Sequence, residues 1–235
     1  MLPKIRFRDP QIEMAHGAGG KASRRLVEGL FAPLLFGAST EPLSDAAHIN
    51  LNGTCVAITA DSFVVKPLRF PGGSIGELAV NGTVNDLAVS GARAQALVVT
   101  YVLESGLPTE ILEAEVRAMA KAAERAGVSI VGGDTKVVEH GKADRMYITT
   151  AGIGLPIPGI ALSAASVRPG DKVLLSGPIV DHGITIRWRV VNWKSRRTSA
   201  PTRAPCFLWW KRWLAPRHPP FAGCATPLEA ASPRP

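Results

Sequence analysis

The chain has 235 residues and a formal charge of +8. No uninterrupted apolar run reaches the roughly 18–20 residues that span a bilayer, and Met1–Pro10 is charged, with no apolar stretch of a secretory leader. A membrane protein is therefore not expected, and a cytoplasmic location is.

The first 186 residues are long enough for one sizeable core, or for one domain and the start of another. Ser39–Asn52 is polar and turn-rich. Cys55–Ala60 reads as a strand ending at Asp61, and Cys55 within it as a small buried hydrophobe in a reducing compartment. The small-residue stretch Gly72–Gly91 reads as a helix with glycine at both ends. Ala94–Leu103 is a long apolar strand. Pro108 opens the clearest helix, and Gly127 closes it. Leu112, Val116, Met119 and Ala123 are expected on its buried face. Val128–Val131 is a strand stopped by Gly132-Gly133, Met146–Ile153 is another, and Lys172–Ser176 starts a further one. Strands alternating with helices argue an α/β or α+β fold. Pro156 and Pro158 mark a boundary. The expected organisation is a glycine-rich segment and helix over 1–38, a domain over 39–157, the start of a second domain over 158–186, and a tail over 187–235.

The tail obeys different rules. It holds all five tryptophans, ten Lys/Arg and a single acid, Glu229, whereas the first 186 residues hold seventeen Lys/Arg and eighteen Asp/Glu. A displaced reading frame explains this better than a nucleic-acid-binding arm. One permitted codon set for Gly223–Ser232, read two bases later, gives LRDPTRGGL. At the same offset Arg187–Ala200 can be recoded as LARRELEVETDIRS and Leu208–Leu214 can hide VVEAL. On this reading the net charge says nothing about partners, no nucleic acid is expected, and Cys206 and Cys224 are not ligands or disulfide partners.

Four clusters carry candidate chemistry. In His16-Gly17-Ala18-Gly19-Gly20-Lys21, glycines before a helix let backbone N–H groups approach a phosphate and the lysine adds charge. A flexible N-terminal loop is the competing reading. Asp61, with Ser62, closes a strand. Asn85-Asp86 lies inside the small-residue helix, where a cap or a salt bridge is the alternative. Gly132-Gly133-Asp134-Thr135-Lys136 follows a strand. Asp61, Asp86 and Asp134 could converge as hard oxygen ligands for Mg²⁺, while any one alone reads as structural.

Taken together, HGAGGK, ITADSF, FPGGSIGELAVNGTVNDLAVSGA, VGGDTKVVEHGKAD and DHG resemble the carbamoyl dehydratase (HypE) family of hydrogenase maturation proteins. That family belongs to the aminoimidazole ribonucleotide synthetase-like superfamily. The resemblance runs from about Met14 to Ile186, and the recoded LRDPTRGGL resembles a motif of the family's C-terminal half. It implies a two-domain enzyme whose N-terminal α/β domain forms a homodimer with ATP near the interface. It implies ATP and Mg²⁺ as cofactors, and ATP-dependent dehydration of a thiocarboxamide on a C-terminal cysteine to a thiocyanate, the source of the cyanide ligand of [NiFe]-hydrogenase. The implied partners are the carbamoyltransferase HypF and the HypC–HypD scaffold. By the same resemblance Asp61, Asp86 and Asp134 hold Mg²⁺ and phosphate. Asn85, Gly133 and Lys136 belong to the nucleotide site, with Lys136 neutralising phosphate charge. Gly17, Gly19, Gly20 and Lys21 close over the nucleotide.

Three departures stand out. Ser74 replaces an expected acidic or amide residue. Val180 precedes Asp181-His182-Gly183 where glycine is expected. The chain ends at Pro235 without the family's modified cysteine, so a completed dehydratase cycle is not expected of it. Selenophosphate synthetase and thiamine-phosphate kinase are the rivals within the fold. The former carries a reactive residue in its glycine-rich N-terminus, and this chain has no cysteine before Cys55. A non-catalytic dimerising scaffold is the reading from a different class.

Overall fold

The computed structural model describes residues 6–36, 43–162 and 166–172. The chain divides into two compact units, one containing Met1–Leu43 and the other beginning at Ser44.

In the first unit a short 3₁₀ helix, Met14–Gly17, precedes the helix α1 (Lys21–Leu26). A π-helical stretch, Val27–Phe31, carries α1 into α2 (Ala32–Leu35). Pro33, the second residue of α2, follows closely on the π-helical stretch.

The second unit is a five-stranded sheet in the order β1-β2-β7-β5-β6, with a two-stranded ribbon β3-β4. Its strands are β1 (Ala47–Leu51), β2 (Thr54–Phe63), β3 (Arg69–Phe70), β4 (Gly73–Ser74), β5 (Ala92–Glu104), β6 (Ser129–Val138) and β7 (Met146–Pro156). Helices α3 (Ile75–Val89) and α4 (Thr109–Ala126) complete it. β5 and β6 run parallel, joined through α4, and the other pairings of the sheet are antiparallel. β7, the last strand among the described residues, sits at the centre, between β2 and β5.

The core lies where α3 and α4 cover one face. Ile75, Leu87, Leu97, Met146 and Ile148 are fully buried there, each contributing about 1.5–3 kcal/mol by leaving water. The helices touch closely. A Cβ on Gly76 would lie 2.2 Å from the Glu115 carbonyl oxygen, so glycine is required at that crossing. The opposite face is open, and Ile58, Val98, Ile153 and Leu155 are exposed.

Several expectations from the sequence need correction. Ser39–Asn52 is not all turn, because residues 47–51 form β1. Leu51 pairs with Thr54, leaving Asn52-Gly53 as a two-residue hairpin loop. Both loop residues have positive φ, 50° and 89°, the conformation that an Asn-Gly pair supplies. Cys55 is exposed rather than buried. It sits at the hairpin end of the sheet, opposite Asn50. On α4, Val116 is exposed and Glu115 takes its place in the buried stripe with Met119, Ala122, Ala123 and Ala126. Glu115 is tolerated there because Oε1 lies 2.6 Å from Arg69 Nε and Oε2 accepts the Gly76 N–H at 3.1 Å. Residues 173–176 of the expected strand Lys172–Ser176, Asp181-His182-Gly183, and the tail with Cys206 and Cys224 lie outside the described residues.

Candidate functional site

Asp61 lies within β2, two residues before its end, rather than at the strand terminus. It pairs across the sheet with Thr150 on β7. The Thr150 side chain is bolted to α3: its Oγ1 donates to the Ala79 carbonyl at 2.9 Å. The Thr83 hydroxyl meets the same Oγ1 at 2.5 Å. Directly opposed residues share a face, so Asp61 also points toward α3. Gly82 is its neighbour there. A Cβ on Gly82 would sit 2.7 Å from the Phe63 ring and 3.7 Å from Asp61 Oδ2. Glycine thus opens a notch into which the carboxylate fits. Burial pushes the Asp61 carboxyl above its ordinary range, partly offset by the Ser62 N–H that it accepts.

Asn85 and Asp86 follow Gly82 by three and four residues on α3, the spacing that places side chains on one helical face. Both are partly buried and both have partners of their own. Asn85 and Asp86 therefore lie about one helical turn along α3 from the Gly82 notch that receives Asp61.

Asp134 does not join them. Gly132-Gly133-Asp134-Thr135-Lys136 does not follow a strand; it lies inside β6. The glycines permit close approach rather than a turn. The β5–β6 register shifts between Leu97 and Val98, and a Cβ on Gly133 would lie 1.7 Å from the Val99 carbonyl oxygen. Asp134 is in register with Thr100, Thr100 with Thr149, and Thr149 with Ser62. That row alternates with the row of Asp61, Thr150 and Val99, so it faces away from the helices. Asp61 and Asp134 stand three strand spacings apart, about 14 Å, on opposite faces of the sheet. Among the described residues, no three His, Cys, Asp or Glu side chains cluster closely enough to hold one metal ion. The expectation that three acids converge is therefore corrected: sheet order and strand alternation separate the third from the other two.

Asp134 Oδ2 is also already paired, 2.6 Å from Lys136 Nζ. That bond, followed by the Thr135 N–H, holds its carboxyl below the ordinary range. Lys136 thus lies beside a neighbouring acid of its own strand.

In the first unit Gly17 ends the 3₁₀ helix, Gly20 caps α1, and Lys21 is its first residue. The Gly19 N–H donates to Ser23 Oγ at 2.9 Å. No atom lies within 4 Å of a Cβ built on Gly17, Gly19 or Gly20.

Sequence reasoning missed Thr83 and Thr150. A threonine in an apolar helix or strand carries no signal of its own, and only the fold brings the two together. It also passed over Gly82, which reads as one more small residue in a helix full of them.

The donor set fits Mg²⁺ in a limited way. This ion is ordinarily bound by one or two carboxylates together with substrate phosphates. Asp61, raised by desolvation, and Asp86 supply two.

Comparison with known proteins bears on the fold and the family. Residues 43–155 match the family described as AIR synthase related protein, N-terminal domain. Over 185 residues the chain is 48% identical to carbamoyl dehydratase HypE of Azotobacter vinelandii, covering 79% of this chain and 54% of that protein. A solved HypE–HypF complex matches with a TM-score of 0.67 at 45% identity, over 73% of this chain and 55% of the solved one. HypE solved in complex with ATP matches with a TM-score of 0.57 at 43% identity, over 79% and 56%. The chain spans about half the length of the curated relatives it matches. Over that matched stretch the chain belongs to the carbamoyl dehydratase HypE family and carries its AIR synthase-related α/β domain.

Proposed function

We propose that this chain binds ATP with Mg²⁺ and serves the ATP-dependent dehydration of a thiocarboxamide to a thiocyanate, for the cyanide ligand of [NiFe]-hydrogenase. The observation that carries the reading is the half-buried Asp61 carboxylate, set in the Gly82 notch one helical turn from Asp86. Identity of 48% to a carbamoyl dehydratase supports it. Bound Mg·ATP supplies the phosphoryl group that turns the carboxamide oxygen into a leaving group.

The residues of this chain bind and orient. Asp61 and Asp86 hold the cation, and Asn85 contributes an amide beside them. Thr150 and Thr83 tie β7 to α3, and β2 is paired with β7 at Asp61. By the family resemblance Gly17, Gly19, Gly20 and Lys21, in the first unit, bind nucleotide phosphate. Asp134 and Lys136 act from the open face of the sheet. One protomer cannot bring them to the ion held by Asp61, so they serve a site that a second copy of the chain completes. The apolar open face, with Ile58, Val98, Ile153 and Leu155 exposed, supports such a homodimer, as does the outer edge of β6, where Val131 and Val137 are exposed. The solved HypE–HypF complex supports HypF as a partner, and the family resemblance extends this to the HypC–HypD scaffold. A cytoplasmic location suits these partners. Among the described residues no helix is long and apolar enough to cross a membrane.

Calorimetric titration of ATP with and without Mg²⁺ tests the proposal. Asp86→Asn keeps size and removes charge, so Mg²⁺-dependent affinity should fall about ten-fold or more, roughly 1.4 kcal/mol. A lower melting temperature with unchanged affinity per folded molecule would make Asp86 structural and defeat the assignment.

A further inference from the structure

His16 stands at the head of the Gly17–Gly20 loop, 7% exposed. Its Nδ1 accepts the Glu13 backbone N–H at 2.8 Å, so that nitrogen carries no proton. Nε2 carries it and donates to Asp9 Oδ2 at 2.8 Å. The same Asp9 oxygen accepts Arg25 Nη2 at 3.1 Å. Arg25 lies on α1, beyond the loop. On the other side the Phe7 ring meets the imidazole edge-on, with centroids 5.3 Å apart. Phe7 is itself held: its N–H reaches the Gly29 carbonyl at 3.3 Å, and a Cβ on Gly29 would lie 2.6 Å from Phe7 N.

The segment before the loop, its first residue and the helix after it are thus tied through one imidazole and one carboxylate. Within those fixed ends the glycines have open space around them. Gly19 holds a φ of +73°, which a side chain would resist. An ordinary surface loop needs no such anchor. Burying an imidazole with both nitrogens engaged costs desolvation and ordering, and here the bonds that offset this cost all converge on the loop's two ends.

We propose that His16 is a positioning residue for the nucleotide. Through Asp9 and Arg25 it holds Gly17–Lys21 in the pose that receives the phosphates, without touching the nucleotide itself. The inference rests on the reading of Gly17–Lys21 as a phosphate-covering loop. Its physical logic is pre-organisation: a loop already in its bound conformation loses less entropy when the ligand arrives.

The test uses the full chain, with Mg·ATP as the probe. Amide exchange in the free protein reads the clamp alone. His16→Ala should speed exchange at Gly17–Gly20 about ten-fold, which corresponds to about 1.4 kcal/mol of local opening, and leave Ala94–Leu103 unchanged. ATP affinity should fall by a similar factor. His16→Gln, which keeps an N–H for Asp9, should recover part of it. Lys21→Ala should weaken ATP by itself, and the double variant His16→Ala/Lys21→Ala should be scarcely weaker than Lys21→Ala. A displaced loop no longer delivers Lys21, so the two losses overlap.

Fully additive losses would overturn the proposal. So would a lower melting temperature with unchanged exchange at Gly17–Gly20. Normal affinity in Lys21→Ala would sink the phosphate-loop reading and the nucleotide role of His16 with it. Faster loop exchange in His16→Ala would then show that the clamp exists and that the reading of the loop failed. Should His16→Ala not fold, Asp9→Asn and Arg25→Gln cut the same tie from its more exposed side and should reproduce both effects. Normal exchange and affinity in both would overturn the proposal.

Discussion

Asp61 and Asp134 are carboxylates on strands of one sheet, and the fold moves their acidities in opposite directions. Asp61 faces α3, where burial makes its charge costly. Asp134 lies on an exposed edge strand and is eased by Lys136 and by the Thr135 N–H. The first carries a charge that burial makes costly. The second is already neutralised by its own chain. Two acids of one candidate motif therefore cannot be assigned one role. The face of the sheet, and not the residue type, decides what each can bind.

The covered and open faces can be compared most sharply at two adjacent residues. Leu97 is 1% exposed and Val98 is 43% exposed. Leu97→Ala should cost about 2–5 kcal/mol, read as a large fall in the denaturation midpoint. Val98→Ala should change it by about 0.5 kcal/mol or less. Equal losses would show that the open face is as well packed as the core, and the contrast between the faces would fail.

A second test addresses the bolt behind Asp61. Thr150→Val keeps the shape and removes the hydroxyl, leaving Thr83 Oγ1 without its partner in a buried place. The expected cost is about 1–3 kcal/mol. Mg²⁺-dependent ATP affinity should also weaken, because β7, and β2 paired with it, lose their tie to α3. Lost stability with intact affinity would make the bolt purely structural.

The smallest effects come from titration. The folded-state pKa of Asp61 is raised, so its stabilising contribution is present below the ordinary carboxylate pKa and is lost as pH rises through the raised value. Asp61→Asn should therefore melt higher than the parent at neutral pH without Mg²⁺, and the gap should close in acid. Asp134 has the opposite sign: its contribution is present at neutral pH and is lost as pH falls through its lowered pKa. Asp134→Asn should melt slightly lower at neutral pH, by less than the Asp61 gain, because both partners are exposed and screened. Melting curves between about pH 3 and 8 in dilute salt check both signs.

Much of the second unit was legible in the sequence. Pro108 and Gly127 bracket α4 because their chemistry is local. The apolar run 94–103 is readable because β5 is a long strand. What failed depends on partners distant in sequence. β1 exists because Asn52-Gly53 folds residues 47–51 back onto β2, and polar residues alone do not announce that. β6 continues through Gly132-Gly133 because β5 comes close enough to demand glycine. The acids were well chosen as residue types. Their separation could not be read, because nothing local to Asp61 or Asp134 says that β7 and β5 lie between them.

The place of β7 also governs how the unit can assemble. β2 and β5 are made early, yet each has β7 as a neighbour, and β7 ends at Pro156. Until the ribosome has released that strand, β2 and β5 carry unpaired edges, and α3 has no Thr150 to grip. Folding therefore waits on contacts of long sequence separation, the condition that slows two-state folding and leaves apolar strands exposed to one another in the interim. The same central strand that aligns Asp61 with α3 thus holds back the joining of β1-β2 to β5-β6 until residue 156 has been made.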